Sequence, residues 1–194
     1  MTASMAYLSI GSNLGNRLEA LQRAARELSE LPGIHVDARR GVSSVYETSP
    51  VGVPTPQPDY LNAALRITTD LSPAALLAAC MEVERRIGRV RSTPGQARII
   101  DIDLLLFDAV VQNDKDLTLP HPRLHERRFV LEPLSEIAAD VVHPVLDQTI
   151  RQLAVSARSR GVEERVVAYA DRTWCVGALG ALDGPSRRGK SLSH

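Results

Sequence analysis

Residues 98–107 (RIIDIDLLLF) make an almost unbroken apolar run whose only charges after Arg98 are Asp101 and Asp103. A run this short and this apolar reads as a buried strand, the most strand-like stretch of the chain, and is expected near the middle of a sheet. The two-residue period of a strand places both carboxylates on one face, roughly 6–7 Å apart along the backbone. Buried carboxylates this close repel, and a divalent cation beside or between them removes that cost. Oxygen ligands favour Mg²⁺, especially when phosphates complete its shell, and two ions about 3.5–4 Å apart can share such a pair. The alternative is a solvated strand face that binds nothing; the flanking Ile99, Ile100, Ile102 and residues 104–107 argue for burial.

The rest of the pattern limits what such a strand can belong to. Residues 5–10 read as a buried strand and 11–16 (GSNLGN) as a turn whose glycines permit positive φ. Leu18, Leu21, Ala25, Leu28 and Leu31 recur at helical spacing, with Asn16 and Glu19 able to cap that helix and Pro32-Gly33 to stop it. Strand character returns at 34–36 and 42–48. Four prolines within 50–58 cannot donate to a ladder, so an irregular loop leads to the next strand at 60–69. Ser72 and Pro73 start a second helix that Gly88 ends. After 98–107, short strands are expected at 110–111 and 117–119, helices at 129–139 and 149–156, and a last strand at 166–170. From Asp171 onward Gly, Ser, Pro and Arg dominate, so the expected organisation is one domain over 1–170 and a mobile tail over 171–194. With the short 34–36 segment set aside, the order β, α, β, β, α, β fits an α+β fold: a ferredoxin-like antiparallel sheet covered on one face by helices.

Composition excludes several partners. Lys+Arg and Asp+Glu both total 23, so no net field holds a nucleic-acid backbone or an anionic membrane surface, and any anion must be bound locally. No apolar run approaches about 18 residues, and no charged-then-apolar leader precedes the first strand. Cys80 and Cys175 lie far apart and fit no metal-ligand spacing. The expectation is a reduced, cytoplasmic, monomeric protein.

Arginine supplies all but two of the basic residues, so a cluster of arginines carries weight only beside something else. Arg89, Arg91 and Arg98 sit immediately before the aspartate pair, with Glu84, Arg85 and Arg86 on the preceding helix end, and forked guanidinium donors next to a metal suit a polyphosphate. His121, between Pro120 and Pro122 and ahead of Arg123, Arg127 and Arg128, can donate to a phosphate or a leaving oxygen, or be structural. His35, His125, His143 and His194 have no comparable setting and are expected on the surface. With aromatics at only 4%, Tyr60 and Phe129 stand out. Each can be core, or the two can sandwich a flat heterocycle whose edge is read by an amide such as Asn62.

These pieces occur together in one family. Residues 7–17 (YLSIGSNLGNR), 46–52 (YETSPVG), 57–64 (QPDYLNAA), 84–91 (ERRIGRVR), 98–107 and 117–138 (LTLPHPRLHERRFVLEPLSEIA) match, in order, the 6-hydroxymethyl-7,8-dihydropterin pyrophosphokinases, and the chain resembles that family over roughly 5–155. The resemblance implies a ferredoxin-like fold and transfer of the β,γ-diphosphate of ATP to the hydroxymethyl oxygen of 6-hydroxymethyl-7,8-dihydropterin, with release of AMP. It implies that Asp101 and Asp103 hold two Mg²⁺ ions, that Arg89, Arg91, Arg98, His121 and Arg127 face the phosphates, and that Glu84 and Thr118 lie near the nucleotide. Tyr60 and Phe129 then sandwich the pterin, with Thr48, Val51, Asn62 and Asp101 around it. The chain departs from the family pattern in three places: residues 92–98 (STPGQAR) lack the usual loop tryptophan, and Met81 and Asp116 replace a glutamine and a basic residue. The competing expectation is a non-catalytic binding module on the same fold. Retention of both aspartates among the arginines separates the two.

Overall fold

A computed structural model describes residues 3–53, 55–89, 95–160 and 164–179. Strand β1 (Ser4–Ser12) turns into helix α1 (Arg17–Glu30), whose first turn is capped by the Asn16 side chain accepting from the Glu19 N–H. Strands β2 (Ile34–Val36), β3 (Val45–Thr48) and β4 (Tyr60–Thr69) follow, then helix α2 (Pro73–Ile87), with Ser72 as cap and Gly88 in the left-handed conformation at its end. Strand β5 (Asp101–Phe107) is followed by the small pair β6 (Gln112–Asn113) and β7 (Thr118–Leu119), the first of them two residues later than expected. Helix α3 (Arg128–Ala138), the pair β8 (Val142–His143) and β9 (Gln148–Thr149), helix α4 (Ile150–Ser159) and strand β10 (Val166–Ala170) complete the order.

The six strands β1–β5 and β10 form one antiparallel sheet in the order β10-β3-β4-β1-β5, with β2 pairing the far end of β4. The apolar strand β5 therefore lies at the edge, not in the middle. Its composition follows from coverage: the His121 N–H donates to the Leu105 carbonyl (2.9 Å) and the Glu84 carboxylate accepts the Ile102 N–H (2.7 Å), so the edge is closed by side chain and loop instead of a neighbouring strand.

Helices cover both faces, where the sequence pattern pointed to one. Leu8, Ile10, Leu65, Ile67 and Leu104 pack in a core with Leu21 and Leu28 of α1 and Leu76 and Val83 of α2. Tyr7, Ala64 and Leu106 pack with Val130 and Leu134 of α3 and Leu153 of α4 in a second core. The second layer comes from α3 and α4, which follow the run from β1 to β5.

A second correction concerns the C-terminal side. Residues 171–179, expected to be mobile, pack onto the domain: Trp174 and Cys175 are buried in the α1-side core, the Trp174 indole N–H donates to the Ser43 carbonyl (2.8 Å), and Gln22 donates to the Trp174 carbonyl (2.7 Å). Residues 180–194 lie outside the described residues. His143, expected on the surface, is buried and accepts from the Val145 and Leu146 N–H groups. No described helix is long and apolar enough to cross a membrane.

Candidate active site

Register builds the site. Tyr46 of β3, Asn62 of β4, Gly11 of β1 and Asp101 of β5 are aligned partners in one row across the sheet, and Ala64, Ser9 and Asp103 make the next row. Paired residues share a face, so both aspartates project on the side that carries α3 and α4. Thr48 and Tyr60 pair one row further out. Residues scattered over more than fifty positions of sequence are thus gathered onto one patch of sheet.

Within the row, Gly11 has no side chain and needs none: a Cβ there would sit 2.7 Å from Asn62 Oδ1. Bare backbone therefore separates the Asn62 amide from the Asp101 carboxylate, two strand spacings or about 10 Å apart. Asn62 donates from Nδ2 to Thr48 Oγ1 (2.8 Å), and both residues are buried, so the amide is held in one orientation.

The charges are arranged against the acids. Arg89 and Arg98 both donate to Asp101, the latter at 2.7 Å, and Arg127 lies 3.7 Å from Asp103. Burial, reinforced by the charge of Asp101, pushes the Asp103 carboxyl above its ordinary range. Glu84 is buried, and its carboxylate accepts from Ile102 and Arg89; burial pushes its pKa up as well. Glu84 thus braces Arg89 and the β5 edge. Among the described residues no three His, Cys, Asp or Glu side chains are grouped to hold a metal. Two carboxylates on one strand suit an ion that takes the rest of its shell from phosphate and water, as Mg²⁺ does, and do not suit a cation needing an all-protein cage.

Asp103, Thr118 and His121 line one cavity of about 260 Å³ beside β5, together with Leu77, Lys115 and Pro122. Burial, with Arg127 and Arg123 adding to it, pushes the His121 imidazole down to about 4. Its Nδ1 accepts from the Arg123 N–H (3.2 Å), so the neutral ring carries its proton on Nε2. Arg127 stacks over the Phe129 ring with its guanidinium carbon 5.5 Å from the centroid. Tyr60 is half-buried and its hydroxyl donates to Gln57 (3.2 Å). Val51 is exposed on the proline-rich loop. Arg91 lies outside the described residues.

Sequence reasoning missed Asn13, read only as a turn former. It is buried at the end of β1. Its Oδ1 accepts from the Arg98 N–H (2.7 Å), and its Nδ2 donates to Gln57 Oε1 (3.1 Å) and the Pro58 carbonyl (3.3 Å). Gln57 in turn donates to the Gly95 carbonyl (2.6 Å). One side chain thereby ties the proline-rich loop to the arginine segment ahead of β5. A polar residue directly after an apolar strand was the available signal, but its partners lie more than forty positions away.

The chain is similar to known proteins in sequence and in fold. A family model described as 7,8-dihydro-6-hydroxymethylpterin-pyrophosphokinase (HPPK) matches residues 7–139. The 2-amino-4-hydroxy-6-hydroxymethyldihydropteridine pyrophosphokinase of Methylorubrum extorquens is 42% identical over 158 residues, covering 81% of this chain and 96% of the relative, and that of Haemophilus influenzae is 40% identical over 153 residues, covering 77% and 92%. The folic acid synthesis protein fol1 of Schizosaccharomyces pombe is 39% identical over 158 residues, which are 81% of this chain and only 21% of that longer protein. In three dimensions the chain is similar to Plasmodium falciparum HPPK-DHPS, with a TM-score of 0.66 at 16% identity, covering 82% of this chain and 45% of the other. That likeness concerns the fold.

Proposed function

This chain belongs to the 7,8-dihydro-6-hydroxymethylpterin-pyrophosphokinase family, and we propose that it transfers diphosphate from ATP to 6-hydroxymethyl-7,8-dihydropterin in folate biosynthesis, giving AMP and the pterin diphosphate. The observation that carries the reading is the sheet row in which Asn62, bare Gly11 and Asp101 lie side by side, with Asp103 one row behind. That row offers a flat floor with a hydrogen-bonding amide at one end and a cation-binding acid pair at the other.

The residues divide the work as follows. Tyr60 and Phe129 stack on the pterin, Asn62 reads its amide-like edge while Thr48 holds the Asn62 side chain, and Val51 closes the loop side. Asp101 and Asp103 would hold two Mg²⁺ ions, whose charge, when bound, would offset that of the polyphosphate. Arg89, Arg98 and Arg127 surround the acids and present forked donors to phosphate oxygens, and Arg91 is given the same role. Thr118 and neutral His121 line the nucleotide cavity, where the Nε2 proton can be donated to a phosphate oxygen. Glu84 serves the ATP side through Arg89 and β5. No side chain need attack: phosphoryl transfer asks for alignment of the hydroxymethyl oxygen with the β-phosphorus and for stabilisation of spread negative charge. The enzyme acts as a cytoplasmic monomer in this reading.

Asp101→Ala and Asp103→Ala should each lower the rate of AMP formation at least about 10³-fold with an unchanged far-ultraviolet circular dichroism spectrum. Activity within tenfold of the parent would remove the acid pair from the reaction.

A further inference from the structure

Glu164 and Arg165 lie beyond the span matched by the family model, 7–139, and bond to residues within it. Helix α3 begins without a local cap: the N-cap position is Arg127, whose side chain makes no capping bond and points instead at Asp103 and over Phe129. A helix start leaves several backbone N–H groups without partners, and a short polar side chain at the N-cap normally accepts one of them. Here a residue 35 positions beyond Phe129 does so. The buried Glu164 carboxylate accepts the Phe129 N–H at 2.9 Å, and Arg128 donates to the Glu164 carbonyl at 3.3 Å. The capping position is given to an arginine facing the acid pair, and the capping function is supplied from the segment that leads into β10.

The next residue fastens the adjoining ends of β3 and β4. The Arg165 N–H donates to Ser49 Oγ and its carbonyl accepts the Ser49 N–H, both at 3.0 Å. Its guanidinium pairs with Asp59 and with Glu47. Asp59 immediately precedes Tyr60, and Glu47 and Ser49 flank Thr48. Arg17 holds the same two acidic residues from the other side, donating to the Asp59 carbonyl (2.7 Å) and the Glu47 carboxylate (3.0 Å).

We propose that Glu164 and Arg165 are positioning residues for the pterin: Glu164 fixes the backbone of Phe129, Arg165 fixes the ends of β3 and β4 beside Thr48 and Tyr60, and two adjacent residues thereby set both walls of the pterin slot. The inference rests on the assignment of Tyr60 and Phe129 to the pterin. Neither residue touches the acid pair or the nucleotide cavity, so the effect is confined to one substrate.

Steady-state kinetics on the full chain separates the possibilities, with each substrate varied at saturating levels of the other. Glu164→Ala and the solvent-exposed variant Arg165→Ala should each raise KM for the pterin about tenfold and leave KM for ATP within about twofold. Glu164→Gln, which keeps a carbonyl acceptor for the Phe129 N–H, should recover most of the loss, a rescue that general destabilisation would not give. Phe129→Ala tests the premise and should itself raise the pterin KM. If it does while Glu164→Ala and Arg165→Ala leave the pterin KM within twofold, or raise both KM values alike, the positioning role is overturned. If Phe129→Ala has no effect on the pterin KM, the placement of the pterin fails instead.

Discussion

Gly11 shows how a residue without a side chain can specify a site. Adding a methyl group puts Cβ 2.7 Å from Asn62 Oδ1, so either the amide leaves Thr48 or the strands part. Gly11→Ala should therefore raise the pterin KM by tenfold or more with little change in the ATP KM, at a stability cost of about 1–3 kcal/mol, measurable by urea unfolding. His121 makes a prediction of a different kind. Its folded-state pKa, about 4, is depressed below the 6.5 of an exposed imidazole, so the unfolded chain binds the proton first as pH falls. The stability this contributes is complete above pH 6.5 and drains away as pH drops toward 4, by up to roughly 3 kcal/mol. Comparing unfolding free energies at pH 7 and pH 4.5, His121→Asn should lose less than the parent; an equal loss would show that the imidazole titrates normally. At this scale the sequence was informative about chemistry. The aspartate pair, the arginines and the Asn62 amide were legible as residue types, and their spacing put both acids on one face. Gly11 was not legible as a floor, because a glycine at a strand end reads first as a turn.

Elements were legible where the signal was local and lost where it was not. The Asn16–Glu19 cap, the Ser72-Pro73 start and the Gly88 stop are all within a few residues of the helices they bound, and each falls as expected. The edge position of β5 was hidden because a strand closed by Glu84 and by the loop before His121 needs the same apolar composition as a central one. The segment after β10 misled for the opposite reason. Its composition is that of a tail, but Trp174 buries its ring against the α1-side core and Arg172 pairs with Glu136 on α3. Trp174→Ala should cost about 3–5 kcal/mol of stability while leaving kcat unchanged well below the melting temperature, since the indole lies in the core opposite the face of the acid pair. A loss of turnover without a loss of stability would place Trp174 in the site, where it would stand in for the tryptophan missing from 92–98.

For the whole molecule, the sheet brings distant motifs together and two carboxylates define what the assembly can hold. Arg89 and Arg98 already neutralise Asp101, and no third acid joins the pair among the described residues. Mg²⁺ alone should thus bind weakly, and calorimetric titration should show strong uptake only with a non-hydrolysable ATP analogue present; tight binding to the free protein would demand ligands beyond the acid pair. Which motifs would meet was legible only through resemblance, since nothing in one sequence fixes the β1–β4–β5 register that aligns Asn62, Gly11 and Asp101. The decisive measurement is the nucleotide product of a reaction containing ATP, Mg²⁺ and 6-hydroxymethyl-7,8-dihydropterin, resolved by chromatography. The account predicts AMP in equal amount to the pterin diphosphate, formed at least about 10³-fold more slowly by Asp103→Ala; ADP as the product, or AMP released at the same rate without the pterin, would contradict it.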